Sequence, residues 1–158
     1  MRRVRDRAAD SARRAVSVRI YLACTVRGDR GAVAALRALA AALEQRGHTI
    51  LTAHLLEDGV DTAEAALTER AVYDRDIAWL ESADLLIAEA SGSSYGVGFE
   101  VGYVLGRADR TSQRVVLLYR GDRVSQISRL IPGNNHPRCT VLKYDNPADL
   151  IDRVLRVL

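Results

Sequence analysis

The chain has 158 residues, of which 48% are apolar and 27% are charged, a composition typical of one globular domain with a single core. No apolar run approaches the roughly 20 residues that cross a bilayer, and no apolar segment follows the basic amino terminus, so neither a membrane partner nor a signal peptide is expected. The first 16 residues hold six Arg and two Asp and account for the net charge of +3, which leaves the remainder nearly neutral and makes nucleic acid an unexpected partner.

The basic segment at residues 1–16 is predicted to be a disordered extension of one domain that spans residues 17–158. The domain begins with Ser17–Cys24, which is rich in β-branched and apolar residues and is therefore predicted to be the first strand. Residues 25–31 follow as a polar loop that contains two glycines.

Apolar residues at helical spacing come after this loop, and Gly47 is placed to end the first helix. Thr49–Ala53 is predicted to be the second strand. Asp61 and Glu64 then form a D-x-x-E pattern, a variant of the capping box. This pattern predicts the start of one long helix that reaches about Ala83.

The second half of the chain continues the alternation of strands and helices. The elements predicted there are a strand at Asp84–Ala88, a helix at about Val97–Arg107, a strand at Arg114–Tyr119, a short helix at about Ser125–Leu130, a strand at Cys139–Tyr144, and a last helix with Asn146 as cap and Pro147 at its first position. Five such alternations predict a parallel sheet covered on both faces. The simplest arrangement is a single doubly wound α/β domain, flavodoxin-like, with the strand order 2-1-3-4-5.

In this order the chain reverses direction between the first and third strands, and ligands of such sheets bind in the crevice opened there. The loops that flank the crevice are residues 25–31 and 91–98. In the first loop, the hydroxyl of Thr25 and the guanidinium of Arg27 precede a helix amino terminus, a combination that suits a phosphate. An ordinary surface loop would contain the same residue types, and the spacing of a P-loop is absent.

The second loop leads into a helix whose first turn is predicted to hold Glu100. A carboxylate there is supported by the helix dipole, tends to stay ionised, and is a candidate nucleophile beside a bound sugar. The alternative is a surface residue that only complements the dipole. Gly96 and Gly98 are not followed by a third glycine, because Val101 stands in its place, so a dinucleotide cofactor is not expected.

Asp76 is the second candidate carboxylate. It lies within the apolar stripe that Tyr73, Ile77 and Leu80 form on the predicted long helix, whereas Arg75 is expected to point elsewhere. A carboxylate on a buried face costs several kcal/mol unless it is paired, or its pKa shifts and it becomes useful as an acid or base. A paired, structural Asp is the alternative.

Two further side chains are candidates for the site. Tyr21 lies in the first strand near the crevice and His54 ends the second strand; a packing tyrosine and a half-buried histidine are the alternatives. Cys24 and Cys139 are predicted to be buried and reduced, without the neighbouring ligands of a zinc site. These features agree with a cytoplasmic protein that uses neither metal nor cofactor.

Taken together, these segments resemble the nucleoside 2-deoxyribosyltransferase superfamily, and most closely its hydrolase branch, the 2′-deoxynucleoside 5′-monophosphate N-glycosidases. The resemblance rests on IYLACTVRGDRG near the start, on LTAHL ending at Leu55, and on YDRDIAWLESADLLIAEAS followed by SYGVGFEVG. It extends through RVVLLYRGDRVSQISRLIPG and covers residues 19 to about 145.

The resemblance implies a displacement in which Glu100 attacks the anomeric carbon C1′, Asp76 positions or protonates the leaving base, and Tyr21 orients the nucleophile. Water would then release deoxyribose 5-phosphate from a covalent glycosyl-Glu100 intermediate. Ser128 matches a serine that relatives supply from the neighbouring subunit, which implies a homodimer. The other substrate-binding residues that the resemblance implies are Thr25, Val26, Arg27, Gly28, His54, Ser94 and Gly96.

The expected function is therefore hydrolysis of the N-glycosidic bond of (2′-deoxy)nucleoside 5′-monophosphates. One alternative is a transferase that moves deoxyribose between the bases of unphosphorylated nucleosides. The C-terminal RVLRVL lacks the polar tail that such transferases use on the sugar 5′-hydroxyl, which argues against it. The other alternative is a nucleotide-binding module without turnover.

Overall fold

One parallel sheet of five strands is the centre of the fold. The computed structural model describes residues 16–158, so the predicted extension over residues 1–16 lies outside the described residues apart from Val16. The strands are β1 (Arg19–Ala23), β2 (Thr49–Ile50), β3 (Leu85–Glu89), β4 (Arg114–Arg120) and β5 (Cys139–Tyr144). They lie in the order β2-β1-β3-β4-β5, and every neighbouring pair is parallel. The predicted doubly wound α/β sheet is confirmed.

Between residues 16 and 158, five α-helices accompany this sheet. They are α1 (Val33–Glu44), α2 (Val60–Ala65), α3 (Glu69–Ser82), α4 (Tyr95–Leu105) and α5 (Pro147–Val157). The first and last helices pack together on one face, and α3 and α4 pack on the other. None of the described helices is both long and apolar enough to cross a membrane.

Alternation along β1 determines which side chains reach which face. Ile20 and Leu22 are buried against α1 and α5, whereas Tyr21 and Ala23 are buried with residues of α3 and α4. Because neighbouring residues of a strand point to opposite faces, the pattern of β1 places the Tyr21 ring under α4. This is the face of the sheet that also holds Glu100.

The second strand is shorter than the predicted Thr49–Ala53. It ends after Ile50, and the hydroxyl of Thr52 accepts a hydrogen bond from Leu22 N (2.9 Å) and donates one to Leu22 O (2.7 Å). The Thr52 side chain therefore makes the hydrogen bonds to β1 that the backbone of a longer second strand would have made. The chain is released from the sheet at this point and forms a 3₁₀ turn at Ala53–Leu56, so His54 lies in that turn and does not end a strand.

The single long helix predicted up to Ala83 is wrong, because the structure has two helices, α2 and α3, with a break between them. The Thr68 hydroxyl accepts a hydrogen bond from Ala71 N (3.2 Å) and caps α3. The predicted D-x-x-E capping box is also wrong. Gly59, at φ +83°, precedes α2 without a side-chain cap, and Glu64 instead bonds Arg75.

The predicted helix at Ser125–Leu130 is absent from the described structure, which has a 3₁₀ turn at Gly121–Arg123 followed by irregular turns. Within them the Ser128 hydroxyl accepts a hydrogen bond from Leu130 N (3.3 Å), a local bond that competes with helix formation. The prediction for α5 is confirmed. Asn146 Oδ1 accepts a hydrogen bond from Asp149 N (3.0 Å) and Pro147 occupies the first helical position.

Candidate active site

A cleft of about 780 Å³ opens at the carboxyl ends of β1 and β3. Its walls come from the loop after β1, from α2 and α3, and from the amino-terminal half of α4. The residues from the predicted site that line it are Val26, Arg27, Asp76, Ser94, Gly96 and Glu100. The crevice thus brings together predicted site residues from three separate segments of the chain, which are the loop after β1, α3 and the start of α4.

Tyr21 and Glu100 form a hydrogen-bonded pair at this cleft. The phenol Oη of Tyr21 donates to Glu100 Oε1 over 2.6 Å, and the Tyr21 side chain is fully buried in β1. Burial and the neighbouring carboxylate of Glu100 raise the pKa of the Tyr21 phenol. The phenol is therefore a permanent donor that fixes one oxygen of Glu100.

Glu100 lies in the second turn of α4, because the helix starts at Tyr95 and Ser94 caps it by accepting a hydrogen bond from Val97 N (3.4 Å). The prediction of a first-turn carboxylate kept ionised by the helix dipole is therefore wrong. Burial raises the pKa of Glu100 to about 7, and the neighbouring Asp76 carboxylate acts in the same direction, whereas the Tyr21 hydrogen bond lowers it. A carboxyl group poised near neutrality can serve as a nucleophile or exchange a proton.

Asp76 is held by its neighbour in the chain. Arg75 Nε donates to Asp76 Oδ1 over 2.8 Å, and Arg75 Nη2 lies 2.5 Å from Glu64 Oε1. The expectation that Arg75 points elsewhere is therefore wrong. Tyr73 is also not part of an inward stripe, since it is 49% exposed. Burial raises the pKa of Asp76, and the Arg75 guanidinium lowers it.

His54 lies beside this group but outside the wall of the main cleft. Its ring packs on Trp79 with centroids 5.2 Å apart, and its Nε2 is buried without a hydrogen-bond partner in the described structure, 3.7 Å from Glu64 Oε1. Burial lowers the pKa of His54, and Arg75 acts in the same direction. The ring is therefore neutral at pH 7 and borders a smaller cavity of about 170 Å³ next to the cleft.

The loop after β1 carries a second unsatisfied group. Thr25 is 3% exposed, and its Oγ1 has no hydrogen-bond partner among the described residues. Gly92 packs so closely against this hydroxyl that a Cβ there would clash with it, and Gly28 adopts φ +123° in the same loop. Arg27 is exposed and lies 3.0 Å from Asp61 Oδ1. A buried hydroxyl without a partner is costly, which is expected where a ligand supplies the missing bond.

The remaining predicted positions are Ser128 and the two cysteines. Ser128 is exposed in the loop after β4 and does not line the cleft of its own chain. Cys24 lines the cleft, and burial raises the pKa of its thiol to about 11. Cys139 is half-buried and not buried as predicted. Within residues 16–158, no cluster of His, Cys, Asp and Glu is arranged to hold a metal ion.

Sequence reasoning missed Glu64, Arg75 and Trp79 as parts of the site. The guanidinium carbon of Arg75 lies 5.1 Å from the centre of the Trp79 ring, in a cation–π contact. Trp79 follows Arg75 by four residues, a spacing that signals this contact on a helix. No sequence signal joins Arg75 to Glu64, because the two lie on different helices separated by the break at Thr68.

This chain is similar to one protein family and to several known proteins. The nucleoside 2-deoxyribosyltransferase family model matches residues 20–136. A Thermofilum pendens protein provisionally named 2′-deoxynucleoside 5′-phosphate N-hydrolase 1 is 38% identical over 87% of this chain and 92% of its own. The 5-hydroxymethyl-dUMP N-hydrolase of Danio rerio is 34% identical over 72% of this chain and 77% of its own. The Clostridium botulinum CMP N-glycosidase BcmB, 17% identical, shares the fold with a TM-score of 0.66 over 89% of this chain and 99% of that one.

Proposed function

This chain belongs to the nucleoside 2-deoxyribosyltransferase family, and from that premise we propose that it is a glycosidase that hydrolyses the N-glycosidic bond of (2′-deoxy)nucleoside 5′-monophosphates. The observation that carries the proposal is the hydrogen bond of 2.6 Å between Tyr21 and Glu100 at a cleft of nucleotide size. The similar proteins named as N-hydrolases support hydrolysis in preference to transfer.

In the first step Glu100, as a carboxylate, attacks C1′ of the sugar while the bond between C1′ and the base nitrogen breaks. The electron pair of that bond leaves with the base, which also needs a proton. Asp76 either delivers this proton or holds a base that has taken it from water. Tyr21 donates its hydrogen bond to one Glu100 oxygen and so orients the carboxylate for attack.

In the second step water attacks C1′ of the glycosyl-Glu100 ester. Its hydroxyl stays on the sugar, its remaining proton passes to solvent, and Glu100 is released as a carboxylate. The products are the free base and (deoxy)ribose 5-phosphate. The ionised Glu100 also stabilises the positive charge that develops on the sugar in both transition states.

The 5′-phosphate is assigned to the loop after β1 and the start of α4. Thr25 offers a buried hydroxyl that lacks a partner in the described structure, and Arg27 offers an exposed guanidinium at the cleft. Backbone N–H groups at Ser94 and Gly96, at the amino terminus of α4, add donors and a favourable dipole. Gly28 and Val26 complete the loop. His54, which borders the smaller cavity next to the cleft, is the remaining residue that we assign to nucleotide binding.

The test is to incubate the purified protein with each common ribo- and deoxyribonucleoside monophosphate and to measure free base by chromatography. We expect release from wild type and from Glu44→Ala, which changes an exposed glutamate at the end of α1. Glu100→Ala should release no base. Undiminished release from Glu100→Ala would refute the proposed nucleophile, and product formed only after adding an acceptor base would indicate a transferase.

We also propose a homodimer in which Ser128 of each chain completes the site of the other. Ser128 is exposed and does not line the cleft of its own chain. A half-exposed aromatic surface on α3 and α4 lies beside the cleft, with Phe99 at 6.4 Å from Tyr73 and 6.1 Å from Tyr103 between ring centres. Such a surface is typical of a protein interface.

Subunit complementation tests this arrangement. Ser128→Ala and Glu100→Ala are expected to be impaired when each is alone. After the two are mixed and allowed to exchange subunits, a mixed dimer has one site with both an intact Glu100 and an intact Ser128, so activity should return. A monomer by sedimentation, or no recovery on mixing despite confirmed exchange, would refute the shared site.

A further inference from the structure

Arg75 bridges two carboxylates that come from different helices. Its Nη2 lies 2.5 Å from Glu64 Oε1 on α2, and its Nε lies 2.8 Å from Asp76 Oδ1 on α3. The side chains of consecutive helical residues point about 100° apart around the helix axis. The Arg75 side chain must therefore bend around the helix to reach Asp76. The Trp79 ring, one turn further along, supports the guanidinium in this position.

These contacts fix the Asp76 side chain. The side chains of Arg75, Glu64 and Asp76 are 23%, 13% and 26% exposed, so water screens the contacts only partly. We propose that Arg75 is a positioning residue that holds Asp76 at the cleft as a carboxylate. This inference rests on the proposed function, and it decides between the two tasks that remain for Asp76.

The charged groups around Asp76 explain why its contact with Arg75 favours the ionised carboxyl group. Glu64 from α2 and Glu100 from α4 are carboxyl groups, whereas His54 from the 3₁₀ turn is neutral and Tyr21 from β1 keeps its proton. Arg75 is the fixed positive charge of this group. Without it, burial and the nearby negative charges would favour a proton on Asp76.

The consequence for the reaction concerns the proton of the leaving base. With Arg75 in place, the base takes its proton from solvent water as the bond to C1′ breaks, and the hydroxide left in solvent is neutralised by the proton that the second step releases. The Asp76 carboxylate accepts a hydrogen bond from the resulting N–H. Asp76 keeps its charge throughout and loses no proton. Its negative charge stabilises the protonated base, which is the better leaving group.

The experiment compares Arg75→Gln with wild type by two measurements. The first is the titration of the Asp76 carboxyl carbon, followed by NMR in the full-length protein. The second is kcat/KM for a deoxynucleoside monophosphate as a function of pH. We expect the Asp76 titration to move to higher pH in Arg75→Gln. Because Glu100 and Asp76 must both be ionised, kcat/KM should then fall relative to wild type at a pH below the wild-type Asp76 titration, by roughly tenfold for each unit moved.

Three variants separate this role from general damage. Arg75→Lys keeps the charge and should restore the titration of Asp76 towards the wild-type pH. The double variant Arg75→Gln/Glu64→Gln removes one charge of each sign, and it should also move the titration back. Arg70→Gln removes a guanidinium that lies 2.7 Å from Asp74 on the exposed side of the same helix, and it should change neither measurement.

An Asp76 titration that is the same in Arg75→Gln and wild type would overturn the inference, as would equal kcat/KM values of folded Arg75→Gln and wild type at a pH below the wild-type Asp76 titration. The NMR titration does not depend on turnover. If no monophosphate is hydrolysed at all, the proposed function fails, while the effect of Arg75 on Asp76 is still decided by the titration.

Discussion

The Tyr21 phenol and the Glu100 carboxylate lie 2.6 Å apart, although 79 positions separate them in the chain. One stands on the central strand β1 and the other on the helix that follows β3, so the contact exists only because β1 and β3 are neighbours in the sheet. The phenol stabilises the ionised form of Glu100, whereas burial favours its protonated form. The balance between these two effects sets the pH at which the Glu100 carboxyl group ionises.

Replacing Tyr21 by Phe removes the donor and keeps the ring that fills the core. Because the hydrogen bond lowers the pKa of Glu100, its loss should raise that pKa and move the acid limb of kcat/KM to higher pH. We expect activity at pH 6 to fall by roughly tenfold for each unit of the movement, and to recover partly at pH 9. Profiles of wild type and Tyr21→Phe that run parallel would show that the phenol does not act through the Glu100 charge.

The wild-type pH profile follows from the same carboxylate. Its pKa is about 7, and the nucleophile is the ionised form, which increases as the pH rises. The kcat/KM for hydrolysis should therefore rise about tenfold per pH unit below pH 7 and level off above it. A profile that falls as the pH rises through 7 would instead mean that Glu100 acts as a protonated acid.

Glu100→Gln should stabilise the folded protein at alkaline pH. The pKa of Glu100 is raised to about 7 from the ordinary 4.5, so its favourable effect on folding is complete below pH 4.5 and is lost as the pH rises to 7. Glutamine is not subject to this loss. We expect Glu100→Gln to exceed wild type by up to about 3 kcal/mol in free energy of unfolding at pH 8, with little difference at pH 4.

Urea denaturation of both proteins at the two pH values measures this effect. A constant difference between Glu100→Gln and wild type from pH 4 to pH 8 would contradict it, because the amide would then act through packing and not through charge.

Two buried threonines should respond in opposite ways to replacement by Val. Thr52 Oγ1 makes hydrogen bonds to both Leu22 N and Leu22 O, so Thr52→Val should cost about 2–3 kcal/mol of unfolding free energy. Thr25 Oγ1 has no partner in the described structure, so Thr25→Val should leave stability unchanged or raise it slightly. Its cost should appear in ligand binding, as a loss of roughly tenfold in affinity for a deoxynucleoside monophosphate.

Urea denaturation and titration calorimetry check this pair of variants. If Thr25→Val binds the monophosphate as tightly as wild type, the Thr25 hydroxyl is not part of the phosphate site.

Strands and helices whose ends are marked by residues within the element itself could be predicted from the sequence. β5 has the predicted boundaries, and α5 starts where Asn146 and Pro147 place it. The strand order also follows from the alternation of elements, and with it the position of the cleft between β1 and β3. In these regions the pattern along the chain and the packing of the fold favour the same structure.

The sequence was less informative where a side chain competes with the backbone or joins distant segments. Hydrogen bonds of the Thr52 hydroxyl replace the end of β2, and the Thr68 hydroxyl caps a new helix inside the segment that was predicted to be one long helix. Glu100 lies in the second turn and not in the first because Ser94 is the cap, so the helix starts at Tyr95, two residues before the predicted start at Val97. The contact between Arg75 and Glu64 depends on how α2 packs against α3. The spacing of apolar residues along the sequence does not show how two helices pack.

The early end of β2 has a consequence for how the site can vary within the family. Tyr21, Asp76 and Glu100 stand on elements anchored to the sheet, whereas His54 and Glu64 belong to an excursion that leaves the sheet after Thr52 and returns at α3. A different segment between the same two points would change the surroundings of Asp76, because Glu64 contacts Arg75 and Arg75 contacts Asp76. It would leave in place the contact between Tyr21 and Glu100, which depends only on β1 and α4.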